Sequence, residues 1–163
     1  MTITSPPHSF FEKLQSLKGS RPRRSAGHPK ASLELQYIVP ERITDPATAA
    51  GAALALCRNR WEELTVVLYV DNQHRLVGHA VVATGWVQAA LLTSRPILAG
   101  ADACQASRCI LVRYRPYGAT SPSEAEDRSF RTIAAACSRY GLAVSYHLVV
   151  APNGEYCSTF TAP

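Results

Sequence analysis

The sequence predicts an α+β fold, a mixed α/β sandwich in which one mixed β-sheet is flanked by helices, and three observations carry that prediction. With 163 residues and 47% hydrophobic content, the chain can bury one core but not two. Apolar runs with a period of two, or with no polar break, recur at strand length, while Ala/Leu-rich runs recur at helical length. From Thr44 onward these runs follow the order helix, two strands, helix, strand, helix, two strands, which is the pattern of helices packed against a mixed sheet.

Taken in order, residues 1–31 read as a basic, flexible N-terminal tail and residues 32–163 as the domain. Lys18-Gly-Ser-Arg21-Pro-Arg23-Arg24 has nothing to pack into a core. Phe10, Phe11, Leu14 and Leu17 are the exception, because their spacing suits one or two amphipathic turns that dock on the domain or on a partner. Ser32–Val39 alternates and predicts a half-buried strand. Thr44-Asp45-Pro46 supplies a cap and a proline at the first helical position, so a helix is expected from there to Arg58. Residues 63–70 and 75–84 form a hairpin about the turn Asp71–His74. A helix follows over 94–106, then a strand over 109–114 buried on both faces, and then a loop punctuated by Pro116, Gly118 and Pro122. The last helix, 124–140, stops at Gly141, and strands 142–150 and 156–160 close the domain around Pro152-Asn-Gly154. Trp61 and Trp86 are expected to be partly in the core.

Charge and cysteine content narrow the function classes. The formal charge of +5 lies entirely in residues 1–60, which hold nine basic and four acidic residues against eight and eight in 61–163. That excess suits either nucleic-acid contact through the tail or a solvated tail that aids solubility. No run approaches the ~18 apolar residues of a membrane span, and the N-terminus lacks the layout of a secretory signal, so a soluble cytoplasmic protein is expected. The five cysteines are odd in number, form no CxxC pair, and sit in apolar contexts such as Ala134-Ala-Ala-Cys137, which reads as core thiols.

The informative stretch runs from Glu63 through Arg113-Tyr-Arg115-Pro-Tyr-Gly118 to Ser121-Pro-Ser123-Glu-Ala-Glu126-Asp127. It resembles the RadC-like branch of the bacterial-type JAB/MPN (JAMM) metallopeptidase family, whose signature is a Glu opening a strand, then His-x-His-Pro-Ser-Gly, then Pro-Ser with an Asp three residues further on. Seven residues separate Arg115 from Ser123, as the signature requires. Glu63–Asp71 with the hairpin, Gly85, the Ser94-Arg-Pro96 region, and His147-Leu-Val-Val150 with Asn153-Gly-Glu155 and Ser158 resemble further parts of the branch, so the likeness covers roughly residues 43–160.

The resemblance implies that two His and the Asp hold zinc, that the Glu activates its bound water, and that the Ser steadies the oxyanion. By position those roles fall here on Arg113, Arg115 and Glu126 for the metal, on Glu63 for the base and on Ser123. Two ligands have thus become guanidiniums, which have no lone pair to offer and repel a cation. Asp127 and His147, the latter in a Tyr146-His147 pair where the branch has Asp-His, do not restore the site. No zinc and no catalytic residue are therefore expected, with Glu63 and Ser123 as relic positions. Two readings of the arginines stand. They pair internally with Glu63 and Glu126, restoring the charge a dication would supply, or they point outward as an anion or partner site with Tyr114 and Tyr117. Ser123 with Glu126 also reads as a capping box, and Glu63 as a plain surface or salt-bridge residue. The function expected is a pseudoenzyme, a metal-free binding or scaffolding module for a protein partner. The alternatives are a hydrolase of isopeptidase type with a rebuilt site, and a nucleic-acid-associated protein of DNA-repair type.

Overall fold

Seven consecutive apolar or β-branched residues, Leu64–Val70, are all buried, which requires a strand covered on both faces. This strand, β2, lies inside the sheet of the computed structural model, which describes residues 2–3 and 42–161. Among the described residues the sheet has six strands: β1 (Thr2–Ile3), β2, β3 (Leu76–Thr84), β4 (Arg108–Tyr114), β5 (Ala143–Val150) and β6 (Tyr156–Thr161). Their spatial order is β1-β3-β2-β4-β5-β6. Every neighbouring pair is antiparallel except β4 and β5, which run parallel and are joined through a helix. The sheet is therefore mixed, as the element order predicts.

Helices occupy both faces, and the period of two in the strands assigns each residue to one of them. Leu64, Val66, Leu68 and Val70 of β2, with Ile110, Val112 and Tyr114 of β4, pack under α1 (Pro46–Cys57). That helix is rich in alanine, which lets its backbone approach the sheet closely. Asp45 caps it by accepting from Thr48 N at 2.8 Å, with Pro46 in the first turn. On the opposite face Val67, Tyr69, Cys109 and Leu111 pack under α3 (Ser94–Cys104) and α4 (Glu124–Arg139) through Ile97, Phe130, Ile133 and Cys137.

Several expectations are corrected in detail. The helix over 94–106 ends at Cys104, because Gln105 takes the left-handed conformation (φ 54°) and closes the helix end. A short helix that the sequence analysis lacks, α2 (Gly85–Ala90), follows β3 directly; the positive φ of Gly85 (72°) turns the chain into it. Trp61 and Trp86 are exposed rather than partly buried: both lie outside the strands, Trp61 ahead of β2 and Trp86 in the short α2. Cys57, Cys109 and Cys137 are core thiols, whereas Cys104 and Cys157 are half-buried; all five are unpaired. Burial pushes the Cys57 thiol up to about 12 and the Cys137 thiol up to about 11. The predicted strand 32–39 and the predicted tail lie outside the described residues, apart from Thr2 and Ile3.

One contact shows how tightly the second face is fitted. Tyr69, with no exposed surface, donates from Oη to the Ile97 carbonyl at 3.0 Å, and a Cβ at Gly100 would lie 2.1 Å from that Oη. Gly100→Ala gains about 1 kcal/mol of helix propensity. It must also displace a buried ring and break its hydrogen bond, so a net loss of about 1–3 kcal/mol is expected in chemical denaturation.

Candidate functional site

The site lies at the end of the sheet where β2 begins and β4 finishes. Glu63 precedes β2, and its carbonyl accepts from Gly85 N at 2.8 Å, which fixes the backbone there. Arg113 is the penultimate residue of β4, in register with Thr65 of β2 and Val149 of β5. Alternation along β4 puts Arg113 on the face of Cys109 and Leu111, under the start of α4. Tyr114 falls on the other face, buried in the α1 core, with Oη donating to the Arg60 carbonyl at 3.1 Å. Arg115 leaves the sheet, its N–H still donating to the Val150 carbonyl at 2.9 Å.

Glu126 arrives at the same place from the first turn of α4. Ser123 is the N-cap; its Oγ accepts from Glu126 N at 3.3 Å, and the Glu126 carboxylate accepts from Ser123 N at 2.7 Å. This is a capping box, and it aims the carboxylate back toward β4. Arg113, whose side chain is 7% exposed, donates from Nη2 to Glu63 Oε2 at 2.9 Å and has Nη1 3.3 Å from Glu126 Oε1. Arg115 donates from Nη2 to the same Glu126 oxygen, and from Nη1 to the carbonyls of Ala119 (2.9 Å) and Ser121 (3.1 Å). Four charges thus form a chain, Glu63–Arg113–Glu126–Arg115, and its last member holds the 115–121 loop by two carbonyls. Among the residues of the anion or partner reading, Arg113 and Tyr114 are buried and only Tyr117 stands fully in solvent.

Two residues set aside in the sequence belong to the same neighbourhood. His147 of β5 is in register with Leu111 and stacks on Phe130 of α4, ring centroids 3.6 Å apart, with Nδ1 2.8 Å from Thr159 Oγ1. Asp127, three residues before Phe130, pairs through Oδ2 with Arg131 at 3.0 Å. His147 Nε2, Asp127 Oδ1 and Arg113 Nε are buried without a hydrogen-bond partner. No periodicity in the sequence brings Asp127 and His147 together; only the packing of α4 on β5 does.

The electrostatics follow from this arrangement. Burial pushes the Glu126 carboxyl up, but hydrogen bonds from Arg115 and Ser123, together with the Arg115 charge, outweigh it and hold the group at about 2. Burial pushes His147 down to about 4, against the pull of Asp127 and Glu126, so it is neutral at pH 7. Of the side chains in the charge chain only the carboxylates have lone pairs to give a metal, and two guanidiniums stand between them. Among the described residues no three His, Cys, Asp or Glu side chains converge on one point. This donor set does not fit zinc.

Two outcomes are expected from these contacts. Ser123→Ala removes the cap and one anchor of Glu126, lowering stability by about 1 kcal/mol in thermal or urea unfolding. Both depressed groups bind protons more readily in the unfolded chain than in the folded one, so stability is lost as pH falls, between 6.5 and about 4 for His147 and between 4.5 and about 2 for Glu126. In an acid titration followed by circular dichroism, His147→Gln should flatten the upper part of that loss and Glu126→Gln the lower.

Residues 43–162 match the family model of the RadC-like JAB domain. A UPF0758 protein of Actinobacillus pleuropneumoniae (strain L20) is 30% identical over 129 residues, which are 79% of this chain and 58% of that protein. A second, of Streptococcus agalactiae (strain NEM316), is 27% identical over 153 residues, 90% of this chain and 67% of the relative. A third, of Photobacterium profundum, is 31% identical over 116 residues, 71% of this chain and 51% of the relative. The chain thus spans a little over half of the A. pleuropneumoniae and P. profundum relatives, and two thirds of the S. agalactiae one.

Proposed function

The chain belongs to the RadC-like JAB domain family, and we propose that within it this protein is a metal-free, non-catalytic member that works as a binding or scaffolding module for a protein partner. The observation that supports this reading is the buried charge chain. Where the resemblance puts two zinc ligands, this protein has Arg113 and Arg115, and both are engaged with carboxylates rather than aimed into open space. Two fixed positive charges against Glu63 and Glu126 leave the pocket neutral, as a bound dication would with the same two carboxylates. Glu63 accepts from a guanidinium where the family's base would face a metal-bound water, and Ser123 caps its helix. The five unpaired cysteines suit a reducing compartment such as the cytoplasm. Among the described residues no helix is long and apolar enough to cross a membrane.

Metal analysis of the purified protein tests this reading. Far less than one equivalent of zinc is expected, with no loss of stability on adding a chelator and no isopeptidase activity. Arg113→His with Arg115→His and Glu126→Asp rebuilds the family ligand set on the same backbone and should gain zinc. Near-stoichiometric zinc in the unaltered protein would overturn the proposal in favour of a rebuilt hydrolase. Salt-sensitive binding of nucleic acid by the full chain, abolished when Arg21, Arg23 and Arg24 are neutralised, would instead favour the nucleic-acid reading.

A further inference from the structure

Among the described residues four buried side-chain polar atoms lack a hydrogen-bond partner, and three of them belong to one interface: Arg113 Nε on β4, His147 Nε2 on β5 and Asp127 Oδ1 on α4. The period of two in the strands places the first two there. Leu111 faces α4, so Arg113, two residues on, faces it as well; His147, in register with Leu111, lies against Phe130 of the same helix. Asp127 is three residues before Phe130, on the same stripe of α4, and next to Glu126, whose Oε1 lies 3.3 Å from Arg113 Nη1. Arg113 is 6% exposed and His147 1%.

None of the three groups can turn to find a partner without giving up another, because each is held by its remaining atoms. The Arg113 guanidinium is fixed through Nη2 by Glu63 and through Nη1 by Glu126. The Asp127 carboxylate is fixed through Oδ2 by Arg131 at 3.0 Å. The imidazole is fixed by its stacking on Phe130 and by Nδ1, 2.8 Å from Thr159 Oγ1. What remains is one obligate donor, Arg113 Nε–H, one acceptor, the carboxylate oxygen, and one imidazole nitrogen. A cation between them would meet the guanidinium, and an anion would meet the carboxylate. The three atoms therefore select a small neutral molecule that both donates and accepts.

We propose that one water molecule is bound where β4, β5 and α4 meet, accepting from Arg113 Nε–H and donating to Asp127 Oδ1 and His147 Nε2. Buried waters typically make about three such bonds. The assignment fixes the imidazole tautomer: Nδ1 carries the proton and donates to Thr159 Oγ1, and Nε2 accepts. It also makes one polar path from Glu63 through Arg113, the water and His147 to Thr159 of β6. His147 is thereby a positioning residue for Arg113, acting through the water.

A crystal structure of the full-length protein with ordered waters resolved should show a single oxygen peak within hydrogen-bond distance of all three atoms. In nitrogen NMR of the same protein, His147 should be protonated at Nδ1 and not at Nε2, and Arg113 Nε–H should exchange slowly with solvent. His147→Phe keeps a ring on Phe130 and should remove that protection, whereas His147→Gln, whose amide reaches the Nε2 position, should restore it. If His147→Phe does not fold, Asp127→Ala removes the water's other acceptor and should also speed the exchange. A proton on Nε2 bonded directly to Asp127, an empty site, or an ion in place of the water would each overturn the proposal. So would protection of Arg113 Nε–H that is unchanged in the folded variants.

Discussion

Everything at the chemical end of this sheet depends on four side chains neutralising one another: Arg113 and Arg115 against Glu63 and Glu126. A half-buried carboxylate and a buried guanidinium are each costly alone, and neither Arg can shed its charge. The cost is offset only while all four remain in contact, so the cluster ties the start of β2, the end of β4 and the start of α4 to one point. Arg115 extends the tie to the following loop through the carbonyls of Ala119 and Ser121. A tetrahedral metal would join the same elements by bonds to lone pairs; here charge and hydrogen bonding join them.

That arrangement rests on the scaffold beneath it. Arg113 reaches Glu126 because the period of two along β4 turns it to the α4 face, while Tyr114, one residue on, is committed to the α1 face. Glu126 reaches back because the capping box with Ser123 bends its side chain toward the helix start, where the helix dipole also favours a carboxylate. Phe130, one turn later, lies on His147 and fixes the distance between α4 and the sheet. The unpartnered atoms Arg113 Nε, Asp127 Oδ1 and His147 Nε2 mark where this junction of three elements is polar inside and not fully satisfied.

Much of this is legible in the residues. The prolines, caps and glycines that delimit α1 and α4 act through neighbours in the chain, and the apolar runs of β2, β4 and β5 register burial directly, so among the described residues five of the six strands and three of the four helices can be read in one dimension, β1 being the strand that was not. The spacing of Arg113, Arg115, Ser123 and Glu126, with Glu63 upstream, carries the likeness to the RadC-like JAB domain. The places where the reading fails are equally specific. The helix α2 is six residues long, too short for a periodic signal, and depends on the positive φ of Gly85. Hydrophobicity alone sends the tryptophans toward the core, yet Trp61 and Trp86 are exposed, one ahead of β2 and the other in α2.

By itself the sequence determined what depends on residue type and local order: a mixed sheet with helices on it, a serine-capped helix, and two fixed cations where a lone pair would be needed to bind zinc. The tertiary structure decided what depends on through-space distance. Fifty residues separate Glu63 from Arg113, and no local rule makes them an ion pair at 2.9 Å; the antiparallel register of β2 with β4 does. The contacts of both guanidiniums with carboxylates, and the nearness of Asp127 to His147, arise the same way. Each turns on which face of a strand meets which face of a helix, and that exists only once the layers have packed.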